Sequence, residues 1–358
     1  MSAPLERLIR AGLALAGVAL GLAIAEWVLR ARGQIYDAVR THPDPALLYT
    51  LKPGLRGRVL GTVHAYNSRG IRDREFSPSP APGTLRLLCV GDSIAYAQVT
   101  PLEDTFVKRI ESSLRDGVSG WRDAEAINGG VAGYNACQEE AFFRAVGAAY
   151  HPHVVVWQYC LNDPDDAHDP LQAPTAGALP LPLSWNRALR DRFVLWSFLR
   201  VQWRGTQQRL GLMTRQWDAS SLEYARRIYS LYELGEARRR DASWACLSRA
   251  RDAIERQGGR MLVVIFPFAM QAAEDPEFND APQRDIENRC RQSGITCLDL
   301  LPTFRAAGAW DLYAKPDFVH LSDQGHRVAA AAIEKELRVL LAAWGLTGEA
   351  TRGSSAPR

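Results

Sequence analysis

Cysteine is scarce in this chain of 358 residues: there are six, Cys89, Cys137, Cys160, Cys246, Cys290 and Cys297, with no Cys-x-x-Cys pair and no histidine at zinc-ligand spacing. That removes the small zinc-stapled modules. A block of one charge is also missing: the formal net charge is only +3, and the basic residues, nearly all arginine, are scattered. Nucleic acid is therefore excluded as the main partner. No G-x-S-x-G elbow is present, since Gly91-Asp92-Ser93-Ile94 runs on into Ala95, which disfavours an α/β-hydrolase frame. What the chain does have, 47% hydrophobic and 23% charged residues, excludes disorder as the main state and suits a globular enzyme.

The amino terminus departs from that average. Ala11–Ala25 carries no charge and lies between Arg7 and Arg10 on one side and Arg30 and Arg32 on the other. Continued to Leu29, the apolar span reaches about 19 residues, enough to cross a bilayer core, with Trp27 suited to the interface. Read as a signal segment, it ends in Ala23-Ile24-Ala25, an A-x-A cleavage pattern. An uncleaved anchor over residues 1–30 is the favoured reading. Arginine counts on the two sides are too similar to fix its orientation.

Residues 31–83 are rich in Pro, Gly and Arg and read as an extended juxtamembrane segment of short pieces joined by turns, ending in the linker-like Ser77–Gly83. From Thr84 onward, apolar strands alternate with amphipathic helices, the pattern of a parallel sheet covered on both faces. Strands are expected at Leu85–Val90, Asp123–Asn128, His153–Tyr159, Arg260–Pro267 and Ile295–Leu298. Leu102, Phe106, Ile110 and Leu114 mark the first crossover helix, started by Thr100-Pro101 and Glu103. Cys137–Ala149 reads as a second helix and Arg327–Trp344 as the closing one. The expected fold is α/β: a flavodoxin-like three-layer sandwich with a five-stranded parallel sheet and a long helical insertion, 164–259, after the third strand. The main domain then covers 84–345, and 346–358 reads as a loose tail. Within the insertion, Leu189, Phe193, Trp196, Leu199 and Leu210 stand among many arginines. Helices packed on the sheet, a lid over a site, and a surface resting on a membrane are the three readings weighed.

The first strand stops on Gly91-Asp92-Ser93, which places a serine at the carboxyl edge of the sheet, where open α/β folds keep their ligands. A serine hydroxyl near neutral pH needs a base within hydrogen-bond reach, and the base needs an orienting carboxylate. His320 and Asp317, in "KPDFVHLSDQGH", sit three residues apart just before the closing helix and supply both. Acyl transfer also needs donors waiting where the oxyanion forms; the backbone N–H groups of Ser93 and Gly133 and the side-chain amide of Asn162 are suited to that. Ser93 as a helix cap, Asn162 as a turn residue, and Asp317 with His320 as a structural pair would each be unremarkable alone. His326 is assigned to holding the last helix. His151 and His153 share a face without a third ligand, and the acidic run Asn162–Asp169 reads as a solvated loop.

With these blocks in order, the sequence resembles the SGNH (GDSL) hydrolases. Gly91-Asp92-Ser93 is similar to the nucleophile block, Asn128–Asn135 to the glycine block with Gly133 at the oxyanion donor position, Asn162-Asp163 to the asparagine block, and Asp317 to His320 to the acid and base block. The resemblance covers about Thr84 to Leu341, interrupted by the insertion. Two positions depart from the pattern: Ala97 stands where a glycine often follows the nucleophile, and Cys160-Leu161 replaces the glycine usually preceding the asparagine. The implied activity is a serine esterase acting on an acyl or acetyl ester, with a Ser93-His320-Asp317 triad and an oxyanion hole of Ser93, Gly133 and Asn162. It needs neither metal nor cofactor. Expected partners are a small-molecule or glycan ester and, through residues 1–30, a bacterial inner membrane with the catalytic domain in the periplasm; the oligomeric state is left open. A glycan O-acyltransferase using the same triad, and an inactive relative in polysaccharide assembly, are the alternatives. Cys89 and Cys160 lie in strand-like runs as packed thiols. In an exported domain Cys290 with Cys297, or Cys246 with one of them, could pair.

Overall fold

The computed structural model describes residues 3–59, 61–118, 120–166, 181–210, 219–314 and 318–346. The expected sheet is present: β1 (Thr84–Gly91), β2 (Asp123–Gly130), β3 (Val154–Cys160), β4 (Arg260–Phe266) and β5 (Thr296–Asp299) run parallel in the order β2-β1-β3-β4-β5. Every residue of β1 and β3 is buried, as covered parallel strands require. The first two strands end in register, Gly91 beside Gly130, so the chain leaves both at the same edge. A Cβ at Gly91 would meet Gln158 of β3 at 2.3 Å, and one at Gly130 would meet the Tyr96 backbone nitrogen at 2.3 Å. Gln158 can therefore sit against the end of β1, and α2 against the end of β2, only because neither strand end carries a side chain.

The helices begin with α1 (Ala3–Ala31), about 43 Å long at the usual rise, which is long and apolar enough to cross a membrane. The four-residue α2 (Ser93–Tyr96) follows β1, and α3 (Phe106–Arg115) is the first crossover helix. The start expected at Thr100-Pro101 forms only a short 3₁₀ turn, because Thr105 takes the capping role and accepts from Lys108 N at 3.4 Å. Next come α4 (Ala136–Ala145), then the insertion helices α5 (Leu183–Arg192), α6 (Val194–Arg209) and α7 (Ala219–Ser230). Helix α8 (Ala237–Arg256) returns the chain to β4; α9 (Ala281–Ser293) and α10 (Asp323–Ala343) complete the covering layers. The closing helix thus starts four residues before Arg327, at the Ser322 cap that accepts from Gly325 N.

Within residues 33–76 the short extended pieces pair as two antiparallel hairpins, Val39–Thr41 with Tyr49–Leu51 and Arg56–Val59 with Thr62–Ala65. Leu47, Tyr49, Leu51, Tyr66 and Ile71 enter the main core. Buried charge ties this arm down: Lys108 reaches Asp73 and Glu111, each at 2.7 Å. Arg86, fully buried in β1, pairs with Glu125 at 2.6 Å and donates to the carbonyls of Ser77 and Pro78, so the Ser77–Gly83 stretch is held to the sheet from within.

The cysteine pairing corrects the expectation. Cys137 on α4 is bonded to Cys246 on α8, with Cα atoms 5.0 Å apart, while Cys290 and Cys297 are free. The two helices pack side by side, which brings together residues 109 apart in sequence. No spacing rule on the chain reports that contact. Cys89 and Cys160 are buried free thiols.

Candidate active site

The nucleophile candidate is built by a chain of short-range constraints. Asp92 accepts from Ile94 N at 2.9 Å and so caps α2, which leaves Ser93 as its first residue, partly exposed at the sheet edge. Gln158 Oε1 accepts from the backbone N–H of Asp92 at 3.0 Å and of Ala95 at 3.2 Å, pinning the turn to β3. Asn128 Nδ2 donates to Ala95 O at 2.9 Å from the other side. Ala97, one of the two departures from the resemblance, ends the short helix at φ 52°. It is held there by Arg72, whose guanidinium donates to the carbonyls of Tyr96, Ala97 and Thr100 at 2.5 to 2.7 Å.

His320 Nε2 lies 2.8 Å from Ser93 Oγ. That is the geometry of a base poised on a hydroxyl. Asp317 lies outside the described residues. The same cleft, about 490 Å³, is lined by Gly133 and Asn162, so four of the five expected site residues meet at one place. Gly133 has φ +83°, and a Cβ there would come within 2.9 Å of the Tyr49 hydroxyl. Only glycine fits both demands. Tyr49 in turn donates to Ala132 O at 2.9 Å and accepts at its own carbonyl from Tyr134, so the arm buttresses the glycine loop directly. Asn162 Oδ1 is buried without a partner among the described residues.

Several functional neighbours carry no signal in the sequence. Tyr224 and Arg227 of α7 line the cleft, and Arg227 pairs with Asp165 at 2.7 Å while Arg239 pairs with Asp166 at 2.9 Å. Asp165 and Asp166 of the acidic run are thus neutralised by arginines of the insertion. Beneath the site lie three buried carboxyls, Asp92, Glu139 and Asp163; both Glu139 oxygens and one oxygen of each of the others lack partners among the described residues. Burial, reinforced by the negative charges of Asp163 and Asp92, pushes Glu139 well above the usual carboxylate range, and burial with Asp92 does the same to Asp163. His326 is structural: its Nδ1 accepts from Phe106 N at 3.3 Å, and burial with nearby Arg109 pushes it down to about 3. His153 Nδ1 accepts from Arg86 N. Among the described residues no cluster of potential metal ligands is found.

A family model described as the GDSL-like lipase/acylhydrolase family matches residues 89–328. Among solved structures, TesA aligns at 15% identity and a TM-score of 0.43, covering 72% of this chain and 99% of that one. A catalytic mutant of Axe2, an acetylxylan esterase from Geobacillus stearothermophilus, aligns at 16% identity and a TM-score of 0.44 over 71% and 94% of the two chains. The acetyl xylan esterase AlAXEase aligns at 15% identity and 0.42 over 71% and 100%. No curated protein matches.

Proposed function

The chain belongs to the GDSL-like lipase/acylhydrolase family and is an ester-hydrolysing enzyme, and we propose that Ser93, His320 and Asp317 form its triad on a domain tethered to a bacterial inner membrane and facing the periplasm. The observation that carries the triad is the 2.8 Å approach of His320 Nε2 to Ser93 Oγ at the carboxyl edge of the sheet. In this reading Ser93 Oγ attacks the ester carbonyl as its proton passes to His320 Nε2, and Asp317 orients the imidazole. The oxyanion takes hydrogen bonds from the N–H groups of Ser93 and Gly133 and from the Asn162 amide. His320 returns the proton to the leaving alcohol, and water then releases the acid from Ser93 by the reverse sequence. An ester on an envelope glycan or lipid suits the open cleft, whose rim carries Arg227, Asp165 and Asp166. The apolar α1 supports the tether, and the Cys137–Cys246 bond fits an oxidising compartment.

A serine-directed fluorophosphonate tests the assignment. Labelling mapped to Ser93 by peptide mass analysis is the expected result; a wild-type protein that turns over a simple acyl ester yet is labelled elsewhere sinks it. Measuring released acid against acyl transfer to added saccharide separates the esterase from an acyltransferase, and hydrolysis is expected to dominate.

A further inference from the structure

The α5–α6 hairpin carries apolar side chains outward as well as inward, where Leu195, Trp196 and Phe198 are half-buried and Phe198 packs edge-on against Tyr36. Its buried positions are polar, Asn186, Arg190 and Ser197, whereas Trp185 and Leu210 are 65% and 67% exposed and Phe193, Leu199 and Trp203 also face solvent. On α6, Leu199 and Trp203 are four residues apart and so share one face, roughly opposite Ser197 at 100° per residue, and Leu210 follows just past the helix end. Polar contacts fix the hairpin to the arm, through Arg190 to Thr41 Oγ1 at 2.7 Å and Arg200 to Asp37 at 3.1 Å. Its turn is fixed to α1: the Glu26 carboxylate accepts from Val194 N and Leu195 N at 3.0 and 2.7 Å, and Arg30 donates to Arg192 O at 3.0 Å. The outward apolar face is thus continuous with the end of α1, the one helix among the described residues that is suited to a bilayer.

Between α1, the hairpin turn and the arm lies a cleft of about 290 Å³. Arg56 and Arg192 line it with exposed guanidinium groups that make no ion pair with a described residue, beside the buried Ser197 Oγ, which lacks a partner among the described residues; the carboxylates that also line it, Asp37 and Asp191, are paired with Arg200 and Arg190 at 3.1 and 3.0 Å. The cleft sits just past the apolar run of α1, at the depth of lipid phosphates if that helix spans.

We infer that the α5–α6 hairpin lies on the bilayer surface, with its outward aromatic and aliphatic side chains in the headgroup and acyl boundary and lipid phosphates held in the Arg56–Arg192 cleft. This rests on the tether proposed above. A soluble domain has no reason to bury arginine and asparagine while exposing tryptophan and leucine on one helical face, whereas an interfacial helix needs that arrangement. The surface would hold the catalytic domain at a fixed tilt over the membrane.

The test uses the full chain with Cys297→Ser in vesicles of phosphatidylethanolamine and phosphatidylglycerol, carrying one spin label at Leu199→Cys, Trp203→Cys, Leu15→Cys or Val339→Cys. Collision with lipid-soluble oxygen against a water-soluble nickel chelate reads the depth of each label. Labels at 199 and 203 are expected at the acyl boundary, 15 deep in lipid and 339 in water. Lipid at 15 with water at 199 and 203, or shielding of 199 and 203 from both reagents as in contact with a second copy or another protein, overturns the surface and leaves the tether standing. Water at 15 removes the tether and the surface with it. By native mass spectrometry, Arg56→Ala with Arg192→Ala is expected to lower bound phosphatidylglycerol about tenfold; unchanged adducts overturn the phosphate cleft.

Discussion

The turn after β1 and the arm that precedes it touch each other, yet they are built in opposite ways. The turn is specified locally: a fully buried strand, a glycine that no side chain could replace, an aspartate capping the next turn, and Ser93 left at the edge. The arm, residues 33–76, has almost no local specification, being two hairpins of three- and four-residue strands that would not persist alone. Its order comes from side chains that reach elsewhere. Arg72 serves three carbonyls behind Ser93, Tyr49 backs the Gly133 loop, and His64 bonds Gln98 O at 2.8 Å while burial and Arg72 push it down to about 4. The teaching is that a catalytic turn can be legible in a few residues while its rigidity is supplied by a segment that reads as short extended pieces joined by turns.

Substitutions in the turn and in the arm should have different effects. The largest effect is expected at the turn itself: Ser93→Ala should lower kcat by about 10⁶ with an unchanged melting curve, and a variant retaining a tenth of wild-type turnover would remove the turn from the chemistry. Asn162→Ala should lower kcat by about 10²–10³ with little change in KM, through loss of an oxyanion donor; an unchanged rate would make Asn162 a turn residue only. On the arm, Arg72→Met leaves three buried carbonyls without their donor and should destabilise the fold by about 3 kcal/mol. A urea midpoint equal to wild type would show that the arm is an attachment and not a support.

The smallest and most specific effect concerns the carboxyls under the turn. Because folding raises the Glu139 pKa, the native state holds a proton that the unfolded chain releases above the ordinary carboxylate pKa of 4.5. The wild-type stability is therefore whole below that value and declines as pH rises toward the raised folded value. Glu139→Gln keeps the neutral shape and should flatten that decline, gaining on the order of 1 kcal/mol over wild type at neutral to alkaline pH and little in acid. Parallel stability curves for the two proteins across pH would mean that Glu139 is not the group that titrates.

The five strands and the edge position of Ser93, Gly133, Asn162 and His320 were readable because buried parallel strands announce themselves as short apolar runs ending in glycine and polar residues. The three-residue spacing around His320 was equally readable, although Asp317 lies outside the described residues. The Cys137–Cys246 pair was not, since the contact of α4 with α8 joins residues 109 apart. Nor were Tyr224 and Arg227, whose helix shows nothing that points to the cleft it borders. In the insertion, the sequence shows an apolar set among arginines, but periodicity alone does not say which face is buried.

By itself, then, the sequence determined the sheet, the chemistry-bearing residue types at its edge and the apolar helix at the start of the chain, because each depends on runs of neighbouring residues. Only the tertiary structure decided that the arm locks the nucleophile turn, that α7 borders the cleft, which cysteines join, and that α5–α6 turns its apolar side outward. Those features are contacts between distant segments, set by which surfaces meet once the sheet has closed, and no local pattern on the chain carries them.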